Sequence, residues 1–210
     1  MTRCPEPAFT PTMPMPPSDD LLRLALSRPG FDIHTHNLAA PAGAAVVNMP
    51  RQWLEDPSTA TLRPGVLYSA GVHPWWTACE ADLPQLLAGL NAWIGHPQVV
   101  AIGECGLDRL HGAGLDRQCD IFARQIRLAT ATTRPLIIHC VKAYDLLLRL
   151  RKTITGGSAV PWIIHGFRGR PALARQLLAA GCCLSYGSRY NAESRALTPP
   201  DRRLHEADED

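Results

Sequence analysis

The chain has 210 residues, 46% of them hydrophobic, and a formal net charge of +2. That length can bury one sizeable core in a single domain, and the near-neutral balance makes no case by itself for a nucleic-acid surface. No apolar run reaches the roughly 18 residues a membrane span requires, and seven cysteines without a C-x-x-C pair point to reduced thiols in a cytoplasmic setting.

Residues 1–18 are proline-dense and lack the apolar segment of a secretion signal, which predicts a disordered lead ahead of one domain over 19–210. An amphipathic stretch at 19–30 then predicts a helix, followed by strands at 31–36 and 45–49. Only Asn37 to Ala44 separate these two strands, and a helical crossover needs about a dozen residues, so a plain loop is expected. Further strands are predicted at 66–72, 99–104, 135–140, 161–166, 182–186 and 202–207. Helical spacing recurs at 116–133, where Ile121, Phe122, Gln125, Ile126 and Ala129 share a face, at 144–153, and at 171–181, which opens with Pro171 and closes with Gly181. Alternating strands and helices imply a parallel sheet, and eight strands imply a closed TIM-type (β/α)8 barrel. The barrel is expected to be abbreviated, without its first crossover helix and its last helix. The 19–30 helix is expected to cover the bare seam between strands eight and one.

Four of these strands close on residues of metal-ligand type: FDIHTH (31–36), VVAIGE (99–104), PLIIHC (135–140) and WIIHGF (162–167), with HEADED (205–210) a fifth candidate. A parallel barrel gathers such strand ends on one rim. Period-two alternation puts His34 and His36 on one face, and pairs Glu104 with Ile102, His139 with Ile137 and His165 with Ile163. Cys105 and Cys140 then point outward as small apolar fillers. Buried imidazoles and a carboxylate without partners would each cost several kcal/mol, so their convergence predicts a shared metal site.

Taken together, His34-x-His36, Gly71-Val72-His73-Pro74-Trp75, Gly103-Glu104-Cys105-Gly106-Leu107-Asp108, the strand ending at His139, His165-Gly166-Phe167-Arg168-Gly169 and Glu206-Ala207-Asp208 resemble the TatD family of metal-dependent hydrolases, in a shortened bacterial form. Ala207 stands where that family usually has threonine. The resemblance implies two divalent ions, Mg2+, Mn2+ or Zn2+, bridged by Glu104. His34, His36 and Asp208 would hold one ion, and His139 with His165 the other. It further implies hydrolysis by a water that the two ions activate, with Glu104 and Asp208 as catalytic carboxylates and Asp208 as general base or orienter. His73 is expected on the same rim, beside the ligands or toward substrate. Arg168 and Lys142 follow ligand-bearing strands and could meet phosphate oxygens, and Trp75 with Trp76 could stack a base.

The residues alone indicate metal-assisted hydrolysis. The resemblance implies a deoxyribonuclease or phosphodiesterase acting on DNA or a short oligonucleotide. One alternative is cleavage of a C–N or ester bond in a small molecule on the same fold, although a strand-four lysine, the bridge of some cyclic amidohydrolases, is replaced here by Glu104. The other is a non-catalytic relative that only binds metal.

Overall fold

The computed structural model describes residues 18–154 and 160–207. The expected lead therefore lies outside the described residues, except for Ser18, which opens the first helix. Eight strands close in chain order into one barrel: β1 (Asp32–Thr35), β2 (Ala45–Asn48), β3 (Leu67–Ala70), β4 (Val99–Asp108), β5 (Leu136–Val141), β6 (Trp162–Ile164), β7 (Cys182–Tyr186) and β8 (Arg203–His205). Every neighbouring pair is parallel, and β8 returns to β1 through Asp32 opposite His205. Helices α1 (Ser18–Ser27), α2 (Arg51–Glu55), α3 (Leu83–Trp93), α4 (Leu115–Ala131), α5 (Tyr144–Ile154), α6 (Pro171–Ala179) and α7 (Ala192–Leu197) complete the order. No helix joins β1 to β2, as the short spacing predicted. Among the described residues, no helix is long and apolar enough to cross a membrane.

Strands buried on both faces read as continuous apolar runs, and LIIHCV in β5 and CCLSY in β7 are of that kind. Their outward side chains meet the helices in two layers. Phe122 and Ile126 of α4 and Leu147 of α5 pack on Ile138, Trp162, Ile164 and Leu184. Leu54 of α2 and Leu86 and Leu90 of α3 pack on Val47, Tyr68 and Val99. Each fully buried side chain of this size contributes about 1.5–3 kcal/mol. Cys105 and Cys140 belong to the first layer, facing outward as their alternation indicates.

A third cluster fills the barrel: Ile33, Val46, Val100, Ala101, Ile137, Ile163, Cys183 and Leu204, drawn from strands all around the ring. Leu21 of α1 joins it, and α1 packs against β8 and β4, which lie on opposite sides of the barrel. This corrects the expected place of α1. Its apolar face closes the barrel interior, and the outer seam keeps polar side chains such as Asp32 and the exposed His205.

Alternation fails in β4. The pairing with β5 shifts register between Ile102 and Cys105, so one extra residue is accommodated there. Ile102 consequently sits in the outer layer, although Glu104 faces inward among the histidines. The expected shared face of Glu104 and Ile102 is thus corrected, while Ile137 and Ile163 do lie in the interior below His139 and His165. Beyond the shift, alternation resumes and carries β4 on to Asp108, four residues past the expected end.

Candidate metal centre

Glu104 is buried at the centre of the rim, and its two carboxylate oxygens face different groups. Oε1 lies 2.8 Å from Nδ1 of His139, 2.8 Å from Nε2 of His165 and 3.1 Å from Nε2 of His73. Oε2 lies 3.4 Å from Nε2 of His34 and 3.3 Å from Nε2 of His36. The rings of His34 and His165 approach to 4.4 Å between centroids, which closes the two groups into one cluster. Burial pushes the Glu104 carboxyl up, but the charge of His165 and bonds from His139, His165 and His34 hold it well below the usual carboxylate range.

Neighbouring strands fix this carboxylate. Asn48, at the end of β2, accepts the Glu104 amide at 2.7 Å through the Oδ1 that also meets the Ser69 hydroxyl at 3.2 Å. Helix α4 supplies two buried glutamines, Gln118 and Gln125, spaced seven apart and therefore on one face. Gln125 accepts the Val72 amide at 2.8 Å and donates to its carbonyl at 3.0 Å, holding the chain just before His73. Gln118 accepts the Asp108 amide at 2.7 Å and donates to the carbonyls of Asp108, His111 and Ala113. An apolar stripe alone would cover the barrel; these amides also set the height of the strand ends.

Asp108 and Glu206 stand out as buried carboxylates that the strand-end pattern assigned no role. Oδ2 of Asp108 meets Nε2 of His139 at 3.1 Å, the indole N–H of Trp75 at 2.6 Å and Nδ1 of His111 at 3.4 Å. Burial raises the Asp108 carboxyl, yet bonds from Trp75, the Leu110 amide and His139 bring it down to about 2. Glu206 accepts the Gly166 amide at 2.6 Å, and the same oxygen is 4.0 Å from Nδ1 of His165. Burial raises its carboxyl above the ordinary value. The signal for Asp108 was the apolar run continuing past Glu104. For Glu206 it was its even spacing from Leu204, which faces inward.

The donor set fits metal ions. Ligands 2.0–2.1 Å from one ion are about 2.9 Å apart along an octahedral edge and about 3.4 Å along a tetrahedral one, and the separations around Glu104 span that interval. One ligand atom each from His34, His36 and Glu104 lie within 4.8 Å of one another, and so do those of His73, Glu104 and His139. His73 has a different chemistry, however. Its Nδ1 accepts the Trp75 amide at 3.2 Å, which leaves the proton on Nε2, the nitrogen facing Glu104. A protonated nitrogen donates and does not ligate. His139 stands between two carboxylates: Nε2 faces Asp108 at 3.1 Å and Nδ1 faces Glu104 at 2.8 Å, so with Asp108 accepting from Nε2 it is Nδ1 that would turn its lone pair to a bound ion. The buried Nδ1 of His165 has no hydrogen-bond partner among the described residues.

Of the expected rim residues, Lys142 and Arg168 are exposed. The Lys142 backbone has φ +52°, and its carbonyl accepts Arg109 Nε at 2.6 Å. The two tryptophans part company: Trp76 packs on the layer under α2 and α3, while Trp75 stays exposed. Asp208 lies outside the described residues. Its neighbour Ala207 is tied to β1 by its amide on Asp32 Oδ1 at 3.1 Å.

Residues 41–209 match the family model described as TatD related DNase. A protein of Cronobacter turicensis named 3′-5′ ssDNA/RNA exonuclease TatD is 34% identical over 160 residues, which covers 69% of this chain and 57% of that protein. A Mycobacterium tuberculosis protein described as an uncharacterized metal-dependent hydrolase TatD is 33% identical over 157 residues, covering 68% and 58%. This chain thus spans somewhat over half the length of such relatives. Among solved structures, the TatD homologue YjjV of Escherichia coli superimposes with TM-score 0.62 at 22% identity, over 83% of this chain and 77% of that one, which establishes the shared barrel. With the family model matched from the β1–β2 loop to the end of the eighth strand, the chain belongs to the TatD-related DNase family.

Proposed function

We propose that this chain is a metal-dependent phosphodiesterase that cleaves DNA or a short oligonucleotide, with two divalent ions shared by Glu104. The observation that carries the reading is the division of the Glu104 carboxylate, one oxygen toward His34 and His36 and the other toward His139 and His165. That is the arrangement a bridging carboxylate needs. The nuclease names of the family and of the Cronobacter relative support the substrate class.

Two divalent ions held by these residues would supply an activated water and neutralise charge on the attacking and leaving oxygens. Imidazole and carboxylate donors suit Mg2+, Mn2+ or Zn2+. His34 and His36, with Asp208, would hold one ion, and His139 with His165 the other. Asp208 would take the proton of the attacking water. His73, protonated at Nε2, donates toward Glu104 Oε1 and would hold that carboxylate in place. Lys142 and Arg168, exposed after β5 and β6, would meet phosphate oxygens. The six described cysteines are all free, which supports a reducing, cytoplasmic setting.

The test is to supply metal-free protein with Mg2+, Mn2+ and Zn2+ in turn and assay single-stranded DNA, double-stranded DNA and a panel of small esters and cyclic amides. Metal-dependent release of nucleotides is expected. Turnover of the small substrates alone would replace this reading with the C–N or ester hydrolase. If metal binds and nothing turns over, only a metal-binding relative remains. Asp208→Asn should cost about a hundredfold in rate as a group that positions the attacking water, with Glu209→Gln and Asp210→Asn mild. Equal effects from all three would remove Asp208 from the site.

A further inference from the structure

Five large apolar side chains are exposed among the described residues: Leu26 of α1, and Leu38, Trp75, Leu110 and Tyr190, which lie in the loops after β1, β3, β4 and β7. Four therefore sit on the rim that carries Glu104. Trp75 differs from the other three in two respects. It is 49% exposed, yet its indole N–H is fixed at 2.6 Å by the buried Asp108, so the ring cannot swing away from the site. It also stands 5.0 Å from the His73 ring and 5.9 Å from the His139 ring, both of which contact Glu104.

We infer that Trp75 is a stacking platform for the unpaired nucleobase next to the scissile phosphate, and so favours single-stranded substrate. This rests on the phosphodiesterase reading above. An indole left about half exposed, with the His111 ring 5.0 Å away, carries a hydration cost that Trp76, folded onto the barrel, avoids. The cost is recovered when a flat, apolar-faced group covers the ring. Every nucleobase has such a face, and stacking needs no base-specific hydrogen bond. A base on Trp75 would lie next to the Glu104 cluster, because the His73 and His139 rings that contact Glu104 stand 5.0 and 5.9 Å from the indole. A base locked in a duplex cannot reach the ring without unstacking, which costs a few kcal/mol. The anchoring through Asp108 also keeps the platform in register with His139, since one carboxylate oxygen holds both.

Equilibrium binding to metal-free protein separates stacking from phosphate attraction and involves no turnover. The probes are a fluorescein-labelled thymidine pentanucleotide and the same backbone with abasic residues, read by anisotropy for wild type, Trp75→Leu and Trp75→Phe. Loss of one base stack predicts that Trp75→Leu weakens binding of the thymidine strand about tenfold or more, with Trp75→Phe within about threefold of wild type. Binding of the abasic strand should be the same in all three proteins. Equal weakening of both strands by Trp75→Leu, or of neither, would overturn the platform while leaving the phosphodiesterase reading intact. Failure of wild type to bind the thymidine strand better than the abasic one, or to bind it at all, would overturn the platform, whereas the phosphodiesterase reading stands or falls with the metal-dependent turnover assay above. The wild-type preference for the thymidine strand over the abasic one keeps the test decisive should a variant fold poorly.

Discussion

Asp108 Oδ2 and His139 Nε2 meet at 3.1 Å, on the side of the imidazole turned away from Glu104. The contact fixes the ring plane and offers an acceptor for the Nε2 proton, so that Nδ1, the nitrogen directed at the candidate centre, is the one free to ligate when an ion binds. Asp108→Asn should therefore weaken metal binding by about 10–100-fold, the usual effect of removing a carboxylate that orients a ligand histidine. Asp108→Ala should do the same and also destabilise the fold by about 1–3 kcal/mol, because the Trp75, Leu110 and His111 donors lose their acceptor. Calorimetric titration of metal into both variants reads the first effect and thermal unfolding the second. Unchanged metal affinity in both would show that Asp108 serves the loop alone.

The strands and most of the helices were legible because apolar runs and helical spacing report burial directly. What a buried face packs against was not. The pattern of Leu21, Leu22 and Leu24 announced an amphipathic helix, yet nothing local distinguishes the outer seam from the barrel mouth, and the mouth is where Leu21 goes. The inward direction of Glu104 was reached from its place at a strand end, whereas the alternation argument for it failed at the register shift between Ile102 and Cys105. Such an extra residue is set by the neighbouring strands. The same step hid the extent of β4 and with it Asp108. Gathering His34, His36, Glu104, His139 and His165 needed only strand ends and barrel closure. The roles of Gln118 and Gln125 depended on knowing which carbonyls α4 passes.

The position of α1 predicts unequal costs along one helix. Leu21→Ala removes a side chain from the barrel interior and should cost about 2–4 kcal/mol, whereas Leu26→Ala, at an exposed position, should change stability by about 0.5 kcal/mol or less. Chemical denaturation of the two variants checks this. Equal costs would mean that α1 does not close the barrel.

The cysteines should divide sharply in reactivity. Burial pushes the Cys140 thiol up to about 12 and those of Cys182 and Cys183 to about 11, and it raises Cys105 well above its ordinary value, while Cys79 is exposed. In a Cys4→Ser background, a chromogenic disulfide reagent at neutral pH should label Cys79 first, and the four buried thiols only on unfolding. Replacing Cys79 by serine should abolish the fast phase. Rapid labelling of Cys105 or Cys140 in native protein would contradict the outer-layer packing of β4 and β5.

The metal content of Glu104→Gln bears most directly on the claim that one buried carboxylate joins two histidine groups into a single centre. Purified wild type and variant would be loaded with Mn2+ or Zn2+, dialysed and measured by elemental analysis, with circular dichroism and thermal unfolding as controls for the fold. A bridging carboxylate predicts about two ions per wild-type chain. In the variant both ions should be weakened together, because the amide removes charge that the two sites share while the barrel core remains intact. Undiminished two-ion content in a folded variant with near wild-type turnover would contradict the account.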